Sequence, residues 1–187
     1  MAEALSDNTR HLPVRVVFQD EARFGRLSDP QRCWAPAPLR PVVTQGVVRE
    51  YAYAYAAVSP TDGQVDWMST YAMNAVEMEA FLYHVARRHE REFVVMVIDG
   101  APSHRSGTLR VPPNMALLRL PPYAPELNPV EHLWDEVREK HFANRVFDSI
   151  GAVIAQAVTA LDGLKQEPAA IRSLAAWSWI MAVLRSS

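Results

Sequence analysis

The sequence predicts an α/β domain with a mixed five-stranded sheet flanked by helices, and three observations lead to that prediction. Residues 14–20 and 93–98 are apolar runs rich in β-branched residues, and an aspartate closes each of them. Residues 47–58 alternate tyrosine with alanine, which is the period of two that a strand requires. Helical periodicity lies only between and after these runs, so a helix separates the early strands from the late ones.

The first half of the chain predicts an antiparallel meander. Strands are expected at residues 14–20, 47–58 and 64–71, and the sequence Ser-Pro-Thr-Asp-Gly at 59–63 makes a turn between the last two. Residues 23–41 are rich in arginine and proline, which predicts a loop or an irregular ribbon.

A helix and two further strands follow, and then more helices. Asn74 is the expected N-cap, with Glu77 as its partner in a capping box. The apolar stripe of this helix is expected at Val76, Phe81, Leu82 and Val85. Strands are predicted at 93–98 and 114–120, an extended connector at 121–125, and helices at 129–142, 149–161 and 168–183. This order of elements is that of a ribonuclease-H-like fold.

Composition bounds the class of protein. A chain of 187 residues fits one domain with a core, and its single cysteine, Cys33, excludes an internal disulfide and suits a reducing compartment. There is neither a signal peptide nor an apolar run of about 18 residues, so a cytoplasmic protein without a membrane partner is expected. The net charge of −2 gives no overall attraction for nucleic acid. All but two of the basic residues are arginine, which indicates either phosphate contacts or a general preference for arginine.

Three acidic residues are the candidate catalytic groups. Asp20 and Asp99 end apolar strands, and Glu131 lies in the first turn of a predicted helix. Acids buried in apolar strands are costly unless a cation or another partner compensates them, and oxygen ligands suit Mg²⁺ or Mn²⁺ better than zinc. Two other interpretations stay open: Asp20 as a turn acid, and Glu131 as part of a capping box with Asn128 as N-cap. The three acids together predict metal-dependent phosphoryl transfer.

Four sequence blocks carry a family resemblance. They are Gln-Asp-Glu-Ala-Arg-Phe-Gly at 19–25, Cys-Trp-Ala-Pro at 33–36, Ile-Asp-Gly-Ala-Pro-Ser-His at 98–104, and Leu-Pro-Pro-Tyr-Ala-Pro-Glu-Leu-Asn-Pro-Val-Glu at 120–131. Over residues 12–147 the chain resembles the catalytic domain of IS630/Tc1/mariner-type DDE transposases. The resemblance implies that Asp20, Asp99 and Glu131 are catalytic and bind metal. It also implies Mg²⁺, with Mn²⁺ as a substitute and two ions, and cleavage and strand transfer on double-stranded DNA.

Further residues are secondary candidates. His104 follows the second aspartate by five positions and is either a phosphate contact or an exposed loop histidine, while Asp135 lies one helical turn after Glu131 and could act as an outer acid. The basic residues expected to contact DNA are Arg23, Arg26, Arg32 and Arg40.

The predicted organisation has three parts: a flexible tail at 1–11, the catalytic domain at 12–147, and C-terminal helices at 148–187 packed on the same domain. Members of the resembling family carry an N-terminal helix-turn-helix, whereas this sequence begins close to its first strand. DNA reading by a separate helix-turn-helix chain and assembly as a homodimer are therefore both open. The alternative functions are another ribonuclease-H-like nuclease, such as an RNase H or a resolvase, and a catalytically silent DNA-binding or interaction module.

Overall fold

A computed structural model describes residues 11–27, 32, 34–40, 42, 48–99, 109–122 and 124–186 of the chain. The predicted flexible tail therefore lies outside the described residues except for residue 11, as do Cys33 and His104.

Five strands form one mixed sheet. They are β1 (Val14–Gly25), β2 (Tyr51–Val58), β3 (Val65–Thr70), β4 (Phe93–Ile98) and β5 (Met115–Arg119), in the spatial order β3-β2-β1-β4-β5. The pairs β1–β2 and β2–β3 are antiparallel, whereas β1–β4 and β4–β5 are parallel. The predicted meander and mixed sheet are confirmed, and β1 lies at the centre.

β1 is longer than the sequence predicted. It continues past Asp20 to Gly25, which pairs with Tyr51 at the start of β2, so the start of the region expected to be a loop is strand. Ala22 and Phe24 are buried and extend the alternation of the strand, while exposed Arg23 places its guanidinium 4.5 Å from the centre of the Tyr51 ring. Asp20 consequently lies inside the sheet and not at the end of a strand.

In the part of the chain that the structure describes, α1 (Ala75–Arg88) covers one face of the sheet. Its predicted N-cap is confirmed, because Asn74 Oδ1 accepts hydrogen bonds from the backbone N–H groups of Val76 at 2.9 Å and Glu77 at 3.0 Å. Val76 was expected in the apolar stripe, but it is 76% exposed, and Met78 is buried in its place. Val76 precedes Met78 by two residues, which is about 200° around the helix axis, so it lies on the side of α1 that faces away from the sheet.

The other face carries α2 (Val130–Val137), α3 (Ile150–Lys165), α4 (Pro168–Ala175) and α5 (Ser178–Arg185). A π-helical turn, Arg138–Phe142, prolongs α2. The predicted helix at 168–183 is in fact two helices, because Trp177 has an extended backbone with ψ of 146°. The alanines of β2 that face this layer, Ala52, Ala54 and Ala56, are buried and let the helices approach the sheet closely. None of the described helices combines the length and apolar composition that crossing a bilayer requires.

A network of paired charges lies where β1, β3 and β4 begin. Its members are Arg15, Asp62, Asp66, Arg88, His89 and Glu92. His89 is buried between two carboxylates, with Nε2 at 2.6 Å from Asp66 and Nδ1 at 2.9 Å from Glu92. The hydrogen bond to Asp66 outweighs burial and raises the pKa of His89. The charged imidazolium therefore joins α1 to two strands.

His89→Gln is expected to lower the free energy of unfolding by about 2 kcal/mol at pH 6, because buried Asp66 loses a charged partner. Since the pKa of His89 is higher in the folded state, its contribution is complete below about pH 6.5 and is lost as the pH rises through the folded value. Urea unfolding from pH 5.5 to 9 measures this slope. The control is His84→Gln, because His84 is an exposed histidine on α1. An equal loss of stability in both variants would contradict the role of the network.

Candidate active site

The parallel pairing of β1 with β4 brings the two aspartates together. Their register runs from Val14 opposite Phe93 to Phe18 opposite Val97. Asp20 and Asp99 each follow this last pair by two residues, and Asp99 comes directly after the end of β4. Phe18 and Val97 face the layer of α2, and side chains two positions apart share a face. Both aspartates therefore face the same layer of helices, and both are half-buried.

A hydrogen-bonded asparagine fixes the start of α2 against β1. Asn128 is 3% exposed, and its Nδ2 donates to the Gln19 carbonyl at 2.9 Å while its Oδ1 accepts from the Val130 N–H at 3.2 Å. The residues that it joins are immediate neighbours of Asp20 and Glu131. The prediction of Asn128 as the N-cap was wrong, because α2 begins at Val130 with Pro129 as its N-cap and without a side-chain capping bond. Asn128 instead accepts from the first N–H of the helix and donates to a strand 109 residues away in sequence, which local pattern could not reveal.

Aromatic packing fixes the rest of α2 to the same strand. The Phe24 ring stacks on Phe142 with centroids 4.5 Å apart and meets the edge of Trp134 at 6.1 Å. The apolar stripe of α2 is buried at all four of its positions: Val130, Leu133, Trp134 and Val137. With both of its ends attached to β1, α2 has little freedom to move Glu131 relative to Asp20.

The three acids interact through their charges. Burial, and then the carboxylates of Glu131, Glu21 and Asp99, raise the pKa of Asp20 to about 8, although the Glu21 backbone N–H opposes the shift. Within the described ranges, no three acidic, histidine or cysteine side chains are close enough to hold one metal ion as they stand. Carboxylates that repel one another favour side-chain conformations in which their oxygens lie apart. Their chemistry still suits a hard cation, which would neutralise this repulsion.

The secondary acid lies away from this cluster. Asp135 is exposed on α2, and its carboxylate is 3.5 Å from Nη1 of Arg138. His104 falls outside the described residues.

The four candidate arginines differ in what they contact. Arg26 donates to the carbonyls of Phe147 at 3.0 Å and Asp148 at 2.6 Å and to the carboxylate of Glu50 at 2.9 Å, so it joins β1 to the segment after α2. Arg23 packs on Tyr51, while Arg32 and Arg40 are exposed.

Comparison with known proteins identifies the family. A sequence model described as DDE superfamily endonuclease matches residues 15–154, which include all three acids. The chain belongs to the DDE superfamily endonucleases. This DDE endonuclease domain is also 30% identical over 130 residues to the uncharacterized protein y4pE/y4sA of Sinorhizobium fredii (strain NBRC 101917 / NGR234). That alignment covers 69% of this chain and 96% of the relative.

Solved structures share the fold of this DDE endonuclease domain. The Mos1 strand transfer complex matches with a TM-score of 0.58 and 19% identity over 87% of this chain and 54% of that one. A pre-cleavage Mos1 transpososome matches with a TM-score of 0.59 and 17% identity, over 87% and 55%. The mariner Mos1 paired end complex with Mg matches at 0.58 and 20%, over 86% and 52%. The chain thus spans about half the length of these Mos1 chains, and the likeness confirms the ribonuclease-H-like fold.

Asp20→Asn is expected to stabilise the protein in a metal chelator. The pKa of Asp20 is about 8 in the folded state against an ordinary value of 3.8, so the wild type loses stability as pH rises between these values, by at most about 1.4 kcal/mol per pH unit. Urea unfolding should show an advantage of the variant that grows towards pH 8 and vanishes near pH 4. Asp62→Asn, which loses its partner Arg15 at 2.8 Å, should destabilise instead. A variant of Asp20 no more stable than wild type at pH 8 would contradict both the cost of burying Asp20 and its repulsion by the neighbouring acids.

Asn128→Ala is expected to lower the free energy of unfolding by about 1–3 kcal/mol and to move the pKa of Asp20 down towards its ordinary value, because Glu131 is no longer held beside it. Carbon NMR of labelled aspartate carboxyls measures the titration.

Asn114→Ala is the matched control for this experiment. Asn114 also joins separate segments, by donating from Nδ2 to the carbonyls of Ala86 at 3.1 Å and His89 at 3.2 Å. Its loss should cost similar stability and leave the titration of Asp20 unchanged. If both variants shift that titration equally, Asn128 has no special role in positioning Glu131.

Proposed function

We propose that this domain cleaves and rejoins DNA phosphodiester bonds, as the catalytic part of a transposase, with Asp20, Asp99 and Glu131 as its metal-binding catalytic residues. The observation that carries the proposal is that the charges of Glu131 and Asp99 act on Asp20 and add to burial in raising its pKa to about 8. Structural ion networks also shift pKa values, but such networks pair opposite charges, as at the other end of this sheet. At Asp20, by contrast, the neighbouring charges have the same sign, and the chain belongs to a family of endonucleases.

The cofactor we propose is Mg²⁺, with Mn²⁺ as a substitute and two ions. An all-carboxylate donor set suits these cations. When bound, such ions activate the attacking oxygen and stabilise the leaving oxygen of the phosphodiester. The charge of Asp20 interacts with the charges of both other acids. Asp20 would therefore be a ligand of both ions, while Asp99 and Glu131 would each bind one. Mos1 paired end complexes with Mn and with Mg share this fold, which supports divalent ions in this domain.

The chain's own residues position these ligands. β1 and β4 set the two aspartates side by side, and Asn128 keeps Glu131 against them. The π-helical turn and the aromatic cluster hold the far end of α2. Catalysis of this kind depends on positioning and charge neutralisation more than on covalent chemistry by the protein.

Double-stranded DNA is the proposed substrate, and it is bound by few arginines. Exposed Arg32 and Arg40, together with Arg23 at the strand end, are available to phosphates, whereas Arg26 already has three protein acceptors.

His104 is proposed as a phosphate contact and Asp135 as an outer acid. A separate helix-turn-helix chain and a homodimer are proposed partners. The paired-end complex of Mos1 transposase with a left transposon end supports assembly on DNA. We propose residues 12–147 as the catalytic unit and the helices at 148–187 as its packed extension.

Glu131→Gln is the decisive variant for the third acid. Glutamine keeps the length of the side chain and its capping ability but removes the charge, so nicking of supercoiled DNA in Mn²⁺ should fall at least a hundredfold with little change in stability. Calorimetric titration with Mn²⁺ provides a second readout. The heat of Mn²⁺ binding should disappear in Glu131→Gln, and likewise in Asp20→Ala and Asp99→Ala.

Asp135→Asn on the same helix is the control, and it should keep most activity. Full activity in Glu131→Gln together with its loss in Asp135→Asn would assign the third ligand to Asp135. Cleavage of an RNA–DNA hybrid in preference to duplex DNA would favour an RNase H, and an inert wild type that binds DNA would favour a silent module.

A further inference from the structure

We infer that His132, Trp177 and Trp179, named here the aromatic strip, form a stacking surface for an unpaired nucleobase of the DNA strand that enters the acid cluster. This inference rests on the proposed function, since it takes DNA as the substrate, and it assigns a role to C-terminal residues beyond the matched range of 15–154.

The three rings form a continuous surface. The centroid of the His132 ring lies 5.1 Å from that of Trp177, and the two tryptophan rings are 6.5 Å apart. Trp177 is held in place because its Nε1 donates to the Leu174 carbonyl at 2.8 Å. Trp179 stays 42% exposed, although a tryptophan gains much free energy from burial, and exposed His132 borders the same surface.

The aromatic strip adjoins the acids on both sides. His132 follows Glu131 directly on α2. Trp179 meets the edge of the Phe18 ring, with centroids 6.5 Å apart, and Phe18 lies two positions before Asp20 on the same face of β1. A DNA strand whose phosphate reaches the acids would therefore pass close to this surface.

The negative charge of the nearby acids favours a nucleobase over a phosphate as the group that binds the aromatic strip. Phosphates beside three carboxylates are repelled wherever no cation lies between them, whereas the face of a nucleobase is uncharged and stacks on aromatic rings. A base inside a duplex has its faces covered by its neighbours, so the surface fits a base at a frayed, nicked or single-stranded position. Aromatic stacking tolerates every base, which predicts no preference among sequences.

The test compares blunt duplex DNA with the same duplex carrying a three-nucleotide overhang that contains 2-aminopurine, in EDTA so that no cleavage occurs. The wild type should quench the 2-aminopurine and prefer the overhang DNA, and Trp179→Ala should lose about tenfold in affinity for the overhang only. Trp179→Phe should restore most of this affinity.

Tyr83→Ala is the matched control, because Tyr83 is also 42% exposed but lies on α1, on the opposite face. His132→Ala, at an exposed position, gives a second variant should Trp179→Ala fail to fold.

Two results would overturn the inference while the proposed function stands: a wild type that cleaves DNA in Mn²⁺ but shows no quenching, or equal losses for blunt and overhang DNA in Trp179→Ala and His132→Ala. A dimer that Trp179→Ala converts to a monomer would assign the strip to a second copy and overturn it as well. A wild type that neither binds nor cleaves DNA would overturn the proposed function and this inference together.

Discussion

The hydrogen bonds of one buried side chain, Asn128, fix the position of α2 on the central strand, and the arrangement of the three acids depends on that position. Asn128 is the point at which a helix near the end of the fold meets the central strand, and it does so between the residues that precede Asp20 and Glu131. Aliphatic packing alone would tolerate small slides of α2 over the alanines of β2, because apolar contacts are not directional. An amide that must satisfy a carbonyl on one side and an N–H on the other permits one position only.

The two ends of the sheet divide stability and reactivity between them. Where β1, β3 and β4 begin, carboxylates and cations alternate, and His89 between its two acids keeps even a buried group paired. Towards the other end of β1, acids face acids, and burial together with these neighbouring carboxylates raises the pKa of Asp20 to about 8. Such an arrangement is unfavourable for the fold by itself. The paired end, together with two apolar layers, offsets this cost.

Local pattern was enough to predict most of the fold and to propose the three acids, and the failures share a cause. The strand predicted at 47–58 is present at 51–58, and the one predicted at 93–98 has those bounds. Both strands, the Asn74 cap and the apolar stripe of α2 depend on neighbours in sequence, so periodicity reveals them. The extension of β1 to Gly25, the break at Trp177 and the exposure of Val76 depend on partners far along the chain. The structural use of Arg26, and the bond from Asn128 to Gln19, escaped for the same reason.

The central place of β1 has a consequence for how the protein is made. One of its edges can pair with β2 as soon as residues up to 58 exist, but its other edge waits for β4, whose residues lie 79 positions later, as Val14 and Phe93 show. Until then a growing chain carries an open strand edge with unpaired backbone groups, which is the feature that aggregation exploits. Contacts of such long sequence separation also slow folding. The carboxylate pair that we assign to DNA chemistry is therefore absent from any nascent chain shorter than its fourth strand.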